Sequence, residues 1–248
     1  MPLNVVVLGG TKGMGRAVAR RLAARGDRVH LLGRDADELA KGAADLQARA
    51  PSGPTMTWSF CDLERPDLFA QAIDDAARAL GGFDTVVVTA ALFGTQARLE
   101  TDREFTRRLL TVNFANTIVF CEYVRDYLVA RGGGTLCVFS SVAGERARKP
   151  VVLYGSSKAG LSAYLEGLDH KFRSAGLRTV CIKPGFVSTA MTEGLPEPPF
   201  TVDADAVAGT VLRAIDRGTP VVYAPPIWAL VMLVIRWLPR VVMRKIGF

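Results

Sequence analysis

Seven short apolar, β-rich runs alternate with longer helical patterns from residue 3 to about residue 224, and this alternation leaves few ways to fold the chain. The runs occupy residues 3–8, 28–32, 55–60, 85–89, 135–139, 178–182 and 220–223. Helical periodicity fills 13–24, 35–50, 65–80, 102–130, 152–175 and 203–217. Several runs lack polar alternation, as strands covered on both faces do. Gly26, Gly81, Gly132 and Gly176 close four of the helical stretches, the usual punctuation of a helix end. The pattern predicts an α/β fold: a doubly wound, Rossmann-type, seven-stranded parallel sheet with helices on both faces. No repeat, low-complexity tract or linker interrupts it, so residues 1–225 form one expected domain, with 226–248 as an apolar and basic helical tail belonging to it.

The first run passes directly into Gly9-Gly10-Thr11-Lys12-Gly13-Met14-Gly15 and then into a helix. Glycines at this spacing permit a tight turn and close backbone approach, and a helix N-terminus there faces a pyrophosphate. Gly9, Thr11, Lys12, Gly13, Met14 and Gly15 are therefore candidate nucleotide-binding residues. The second strand ends Leu31-Leu32-Gly33-Arg34. An acidic side chain at this end would bind a ribose 2′-hydroxyl, whereas an Arg accommodates a 2′-phosphate. With Gly33 removing the acid and Arg34 and Lys12 supplying cations, NADPH (NADP+) is favoured over NADH. Asp62 follows the third strand, with Leu63 beside it; Asp62 is placed either to meet the adenine or to serve as a turn residue.

Tyr154 and Lys158 stand one helical turn apart and share a helix face. An ammonium there can lower the phenol's pKa by stabilising its charged form, and Ser141, at a strand end, can complete a site that delivers a proton to a carbonyl oxygen. With Asn113 in a helix and Pro184-Gly185-Phe186-Val187-Ser188-Thr189, these residues resemble the short-chain dehydrogenase/reductase family from residue 3 to about 192. The resemblance implies that Tyr154 is the general acid in reduction, that Lys158 holds the nicotinamide ribose, and that Ser141 hydrogen-bonds the carbonyl oxygen. It implies that Asn113 anchors a water leading from Lys158 to solvent; bonding of backbone in a helix kink is the alternative. It also places Pro184, Gly185, Val187 and Thr189 at the nicotinamide, Val187 and Thr189 as the pair facing its carboxamide. The family often has Asn-Asn-Ala-Gly after the fourth strand. Here Val88-Thr89-Ala90-Ala91 stands instead, so a small residue, Ala90, still lets the cofactor pass while the bracing asparagine is missing.

Composition narrows the partners. The formal net charge of +7 is not gathered into a Lys/Arg run with interleaved aromatics, so nucleic acid is not expected. The four cysteines are scattered without a C-x-x-C pair and the two histidines lie far apart, which predicts buried free thiols and no metal site. No signal peptide is visible, so the expected location is cytoplasmic or at the inner face of the cytoplasmic membrane. Because family relatives are commonly dimers or tetramers, a homo-oligomer is expected.

Three segments bear on the substrate. Arg146, Arg148 and Lys149 follow the serine and form either an anion-binding rim or a solvated loop. Residues 191–202, rich in Pro and Gly, suit a lid or a plain connection. Residues 227–235 are an unbroken apolar run, too short to span a membrane, followed by Arg236, Arg240 and Arg244 at every fourth position. These arginines would share one helical face, and Trp228 and Trp237 suit a headgroup boundary; a helix docked on its own core or on a partner subunit is the alternative.

Within the family the chain is similar to the decaprenylphosphoryl-ketoribose reductases at Leu8-Gly9-Gly10-Thr11, Ala143-Gly144-Glu145-Arg146 and Tyr154-Gly155-Ser156-Ser157-Lys158-Ala159-Gly160-Leu161. The likeness continues at Phe200-Thr201-Val202-Asp203, Tyr223-Ala224-Pro225 and Leu238-Pro239-Arg240 through Arg244-Lys245. It implies reduction of a keto group on a lipid-linked or hydrophobic molecule, such as a polyprenylphosphoryl 2-keto-sugar. A 3-ketoacyl or 3-ketosphingoid reductase would use the same residues, and a non-catalytic nucleotide-sensing protein would keep the fold alone.

Overall fold

Successive side chains of one short strand, β1 (Asn4–Leu8), enter two different hydrophobic layers. Val5 and Val7 pack with Val18, Leu22, Leu39 and Val211 on one side, while Val6 and Leu8 pack with Phe69, Phe120 and Leu161 on the other. A strand buried on both faces needs no polar alternation. The unbroken apolar runs of the sequence have this origin. The structure, a computed structural model, describes residues 2–51, 55–190, 192, 194 and 197–247.

After β1 come α1 (Gly13–Arg25), β2 (Arg28–Gly33), α2 (Ala36–Arg49), β3 (Thr57–Phe60), α3 (Phe69–Leu80) and β4 (Thr85–Val88). The second half runs α4 (Gln96–Thr101), α5 (Arg103–Leu110), α6 (Thr117–Ala130), β5 (Gly134–Phe139), α7 (Val152–Phe172) and β6 (Leu177–Pro184). It ends with β7 (Val187–Ser188), β8 (Val202–Asp203), α8 (Ala204–Arg217), β9 (Val221–Ala224), α9 (Ile227–Trp237) and α10 (Arg240–Lys245). The main sheet is seven-stranded, in the order β3-β2-β1-β4-β5-β6-β9. Every pairing in it is parallel, from Val5 opposite Val29 to Pro184 opposite Ala224. Strand order reverses between β1 and β4, and ligands of such sheets bind in the crevice at the carboxyl ends of the strands at that point. β7 and β8 form a separate two-stranded pair.

The expected single helix over 102–130 is interrupted. Between α5 and α6 the chain makes a π-helical turn, Thr111–Asn116, with Asn113 inside it. Such a turn widens the helix by one residue and often marks a functional position. The expected tail helix is also divided. Leu238 is extended ahead of Pro239, as a residue preceding proline tends to be, so α9 and α10 are separate.

On the outer strand side, His30 lies buried between β2 and β3, its Nδ1 2.8 Å from Thr57 Oγ1 and its Nε2 2.8 Å from Ser59 Oγ. Burial lowers its pKa from 6.5 to about 4, with Asp75 acting weakly in the other direction. The folded protein therefore prefers the neutral ring, and this contribution is fully present above pH 6.5 and is lost as pH falls towards 4. The gap corresponds to about 3 kcal/mol. Urea unfolding between these limits is expected to show stability falling with acidity, and His30→Gln should flatten that slope; an unchanged slope would count against a neutral buried imidazole.

Candidate active site

The glycine turn is held by its neighbours as much as by its own sequence. Gly9 has φ +90°, and a Cβ there would lie 2.7 Å from both Ala90 N and Thr89 Oγ1. A side chain at Gly15 would collide with the Gly9 carbonyl. Thr89 donates its hydroxyl hydrogen to Leu8 O and Gly9 O, each at 3.1 Å. It thus braces the turn from the end of β4, the position where the sequence lacks the family's asparagine. α1 begins without a side-chain cap and without an acid in its first turn. Its free N–H groups suit an anionic group.

Beside this turn lies a cleft of about 290 Å³ lined by Gly9, Thr11, Lys12, Arg34, Asp62, Leu63 and Ala90 among others. Seven of the residues read from the sequence as nucleotide-binding therefore share one cavity. Lys12 Nζ lies 3.6 Å from Glu38 Oε2 and Arg34 Nη1 3.4 Å from Glu64 Oε1, and both cations are largely exposed. Exposed pairs of this length are weak, and a phosphate can compete for either cation. Asp62 Oδ1 accepts from Glu64 N at 2.9 Å, closing a turn, and the residue lines the cleft. Met14 is partly buried against the core layer under α1. Across the turn, Thr189 Cγ2 stands 3.7 Å from where a Gly13 Cβ would be, so the segment after β6 reaches the glycines. Val187 is buried in that segment, paired with Val202. The cradle fits a dinucleotide.

Ser141 lies two residues beyond β5 and caps a short 3-10 turn, where its Oγ accepts from Ala143 N at 3.1 Å. The same hydroxyl faces Pro184 O at 3.5 Å. Tyr154 lies in the first turn of α7 with Phe93 edge-on at 5.3 Å between centroids. Burial pushes its phenol up to about 12, while a hydrogen bond with Ser141 acts to lower it. Lys158 is buried, donates from Nζ to Phe139 O at 2.8 Å, and is lowered by that burial to about 8. Its Nζ is 5.9 Å from the Tyr154 ring centroid. Burial thus shifts both groups toward their neutral forms. Ser140 steadies the helix from behind, donating to Lys158 O at 2.9 Å and lying 2.7 Å from Ser162 Oγ.

The Asn113 side chain bonds backbone. Its Oδ1 accepts from Leu92 N and its Nδ2 donates to Leu92 O, both at 2.7 Å, which pins the loop after β4 against the π-helical turn. Of the two readings of Asn113, its side chain follows the backbone-bonding one.

The rim after Ser141 differs from expectation. Arg146 donates to Leu238 O at 2.8 Å and Lys149 to Arg244 O at 2.7 Å, so two of the three cations bind carbonyls at the C-terminal ends of the tail helices. Cations there also meet the favourable end of a helix dipole. The three tail arginines do not share a stripe either: Arg236 turns inward to Glu145 at 3.3 Å, while Arg240 and Arg244 line a groove with Arg146, Arg148 and Lys149. Of the expected lid at 191–202, residues 191, 193, 195 and 196 lie outside the described residues.

Sequence reasoning missed Glu145. Its buried carboxylate pairs with Lys183 and accepts from Tyr223 Oη at 3.1 Å, tying the loop after Ser141 to the strand that carries Pro184 and to β9. Trp228, expected with Trp237 at a headgroup boundary, instead turns inward, its indole nitrogen filling the space a side chain at Gly185 would occupy. A lone acid between Gly144 and Arg146 carries no local signal, since its partner is 38 positions away.

The profile of the short chain dehydrogenase family matches residues 3–199. An uncharacterized oxidoreductase of Mycobacterium tuberculosis is 36% identical over 245 residues, covering 97% of this chain and 96% of the relative. Carbonyl reductase family member 4 of Xenopus tropicalis is 31% identical over 195 residues, 79% of this chain and 80% of that one. Among solved structures, a short-chain type dehydrogenase/reductase from Mycobacterium ulcerans superposes with a TM-score of 0.80 at 23% identity, covering 88% of this chain and 86% of that one. That last likeness is one of fold. None of these names specifies a polyprenyl-linked substrate.

Proposed function

The chain belongs to the short-chain dehydrogenase family and is an oxidoreductase acting on CH–OH/C=O groups, and on that premise we propose that it is an NADPH-dependent reductase of a keto group on a hydrophobic or lipid-linked molecule. The observation that carries this reading is the cluster of Tyr154, hydrogen-bonded to Ser141, with the buried Lys158 one helical turn on along α7. Tyr154, protonated across the physiological range, donates its proton to the carbonyl oxygen, and the Ser141 hydroxyl hydrogen-bonds the charge developing there. Lys158, whose depressed pKa brings it near neutrality, replenishes that proton as the phenol loses it. Phe93 packs edge-on against the tyrosine ring. The nicotinamide supplies the hydride when bound. Lys158 and Tyr154 would hold its ribose, Val187 and Thr189 its carboxamide, Asp62 and Leu63 the adenine, and Arg34 with Lys12 the 2′-phosphate.

The lipid-linked reading draws on two features beside this site. A groove of about 380 Å³ lined by Arg146, Arg148, Lys149, Arg240 and Arg244 offers a phosphate the exposed guanidiniums of Arg240 and Arg244, Arg146 and Lys149 being held by helix-end carbonyls, and the apolar tail helix α9 packs on the Pro184–Gly185 turn through Trp228. A polyprenylphosphoryl 2-keto-sugar fits both. The test is NADPH consumption with such a lipid and with a 3-ketoacyl thioester offered in parallel. Turnover of the ketosugar is expected; turnover of the thioester alone would remove it. With either substrate, Arg34→Ala should raise KM for NADPH about tenfold or more, as loss of a charged hydrogen bond does, and leave KM for NADH nearly unchanged. Equal effects on both nucleotides would contradict the 2′-phosphate role.

A further inference from the structure

The tail helices have two faces with different fates. Trp228, Met232 and Ile235 of α9 turn inward, packing with Val142 and Tyr223, and α10 adds Met243. The outward face carries Leu230, Leu233, Val234 and Trp237, at helical spacing, followed by Val241 on α10. These are not marginally exposed: Leu230 is 60%, Val241 63% and Trp237 81% accessible. An apolar stripe of this kind on an otherwise soluble surface marks a binding face.

Charge decides what it binds. From residue 217 to the end of the chain there is no Asp or Glu, while Arg236, Arg240, Arg244 and Lys245 are all present. Arg240, Arg244 and Lys245 are exposed on and beside α10, next to the stripe. A second copy docked by twofold symmetry would bring these cations near their own equivalents, whereas an anionic surface would meet them with opposite charge. No described helix is long and apolar enough to cross a membrane. Apolar side chains flanked by cations, with an exposed tryptophan at the end of α9, are what a helix lying in a headgroup layer presents.

We propose that α9 and α10 form an in-plane anchor that seats this protein on an anionic lipid bilayer, with Leu230, Leu233, Val234, Trp237 and Val241 entering the acyl boundary. The inward face of the same helices stays latched through Arg236 to Glu145 and through Arg146 and Lys149 to the helix ends. The anchor is therefore rigidly joined to the loop after Ser141, which would hold the mouth of the active site at the lipid surface. The proposal stands independently of the reductase reading.

Deleting the tail would not test it, because the inward face belongs to the core. The test uses the full chain and its Leu233→Ser/Trp237→Ser variant, sedimented with vesicles of phosphatidylcholine alone or of phosphatidylcholine mixed with phosphatidylglycerol. The full chain is expected to sediment with the anionic vesicles, less with the neutral ones, and to be released by salt. The variant should bind about tenfold or more weakly, since two large apolar side chains no longer leave water, while NADPH binding and turnover of a water-soluble ketone stay unchanged. Protein that remains in the supernatant with both vesicles overturns the proposal. So does a solution dimer that the same two substitutions convert to monomers, because the stripe would then be a subunit interface. Either result leaves the carbonyl chemistry untouched.

Discussion

Tyr154→Phe is expected to lower kcat/KM for ketone reduction by about a thousandfold, within the range that a positioned general acid supplies, while leaving NADPH affinity within a few-fold. The substitution removes one oxygen and keeps the ring, so the edge-on packing of Phe93 survives. Ser141 retains its contact with Ala143 N, so beyond the proton the substitution removes only the phenol's hydrogen bonds, to Ser141 and to the nucleotide ribose that Lys158 still holds. The check is steady-state turnover paired with nucleotide binding by fluorescence. A variant retaining most of the wild-type rate would show that the proton comes from elsewhere. Equal losses in binding and turnover would instead point to a structural role.

The second large effect is on stability. Glu145→Leu is expected to destabilise the protein by about 3–5 kcal/mol, because it leaves Lys183 buried and unpaired. In a chain of this size that corresponds to a fall in Tm of roughly 10 °C or more. The double replacement Glu145→Met/Lys183→Met should recover most of the loss, since a buried pair can often be exchanged for apolar groups at little net cost. Thermal and urea unfolding of the two variants measure this. A single variant as stable as the wild type would mean that the pair is solvated in solution. Because Glu145 joins the loop after Ser141 to the strand leading into Pro184, the single variant should also be less active than its residual folded fraction accounts for.

The strand and helix alternation was readable because the central strands β1, β2, β4, β5 and β6 are largely covered on both faces, and an apolar run bounded by turns is the direct record of that. Tyr154 and Lys158 were readable because their spacing encodes a helix face, and the glycine turn because only glycine fits at Gly9 and Gly15. The π-helical turn around Asn113, Thr111–Asn116, left no such trace, because the expected helical pattern runs through it unbroken. Thr89 was legible only as a missing asparagine, although its hydroxyl braces the same turn. The phenol's raised pKa depends on how completely Tyr154 is desolvated, which no local sequence records. The same holds for the tail. Its apolar run and its cations were plain, but that Arg236 points inward to Glu145 while Trp237 points outward follows from the docking of α9 on β9 and the loop after Ser141.

Hydride delivery to a carbonyl carbon beside the Tyr154 phenol is the claim on which the remaining chemistry rests. Its most direct measurement is mass spectrometry of the alcohol formed from a hydrophobic ketone and NADPH deuterated at nicotinamide C4. The account predicts one deuterium in the product from one of the two C4 isotopomers, with product nearly abolished in Tyr154→Phe. Protein that binds the labelled nucleotide yet transfers no deuterium to any ketone of a broad panel or of a lipid extract would contradict it.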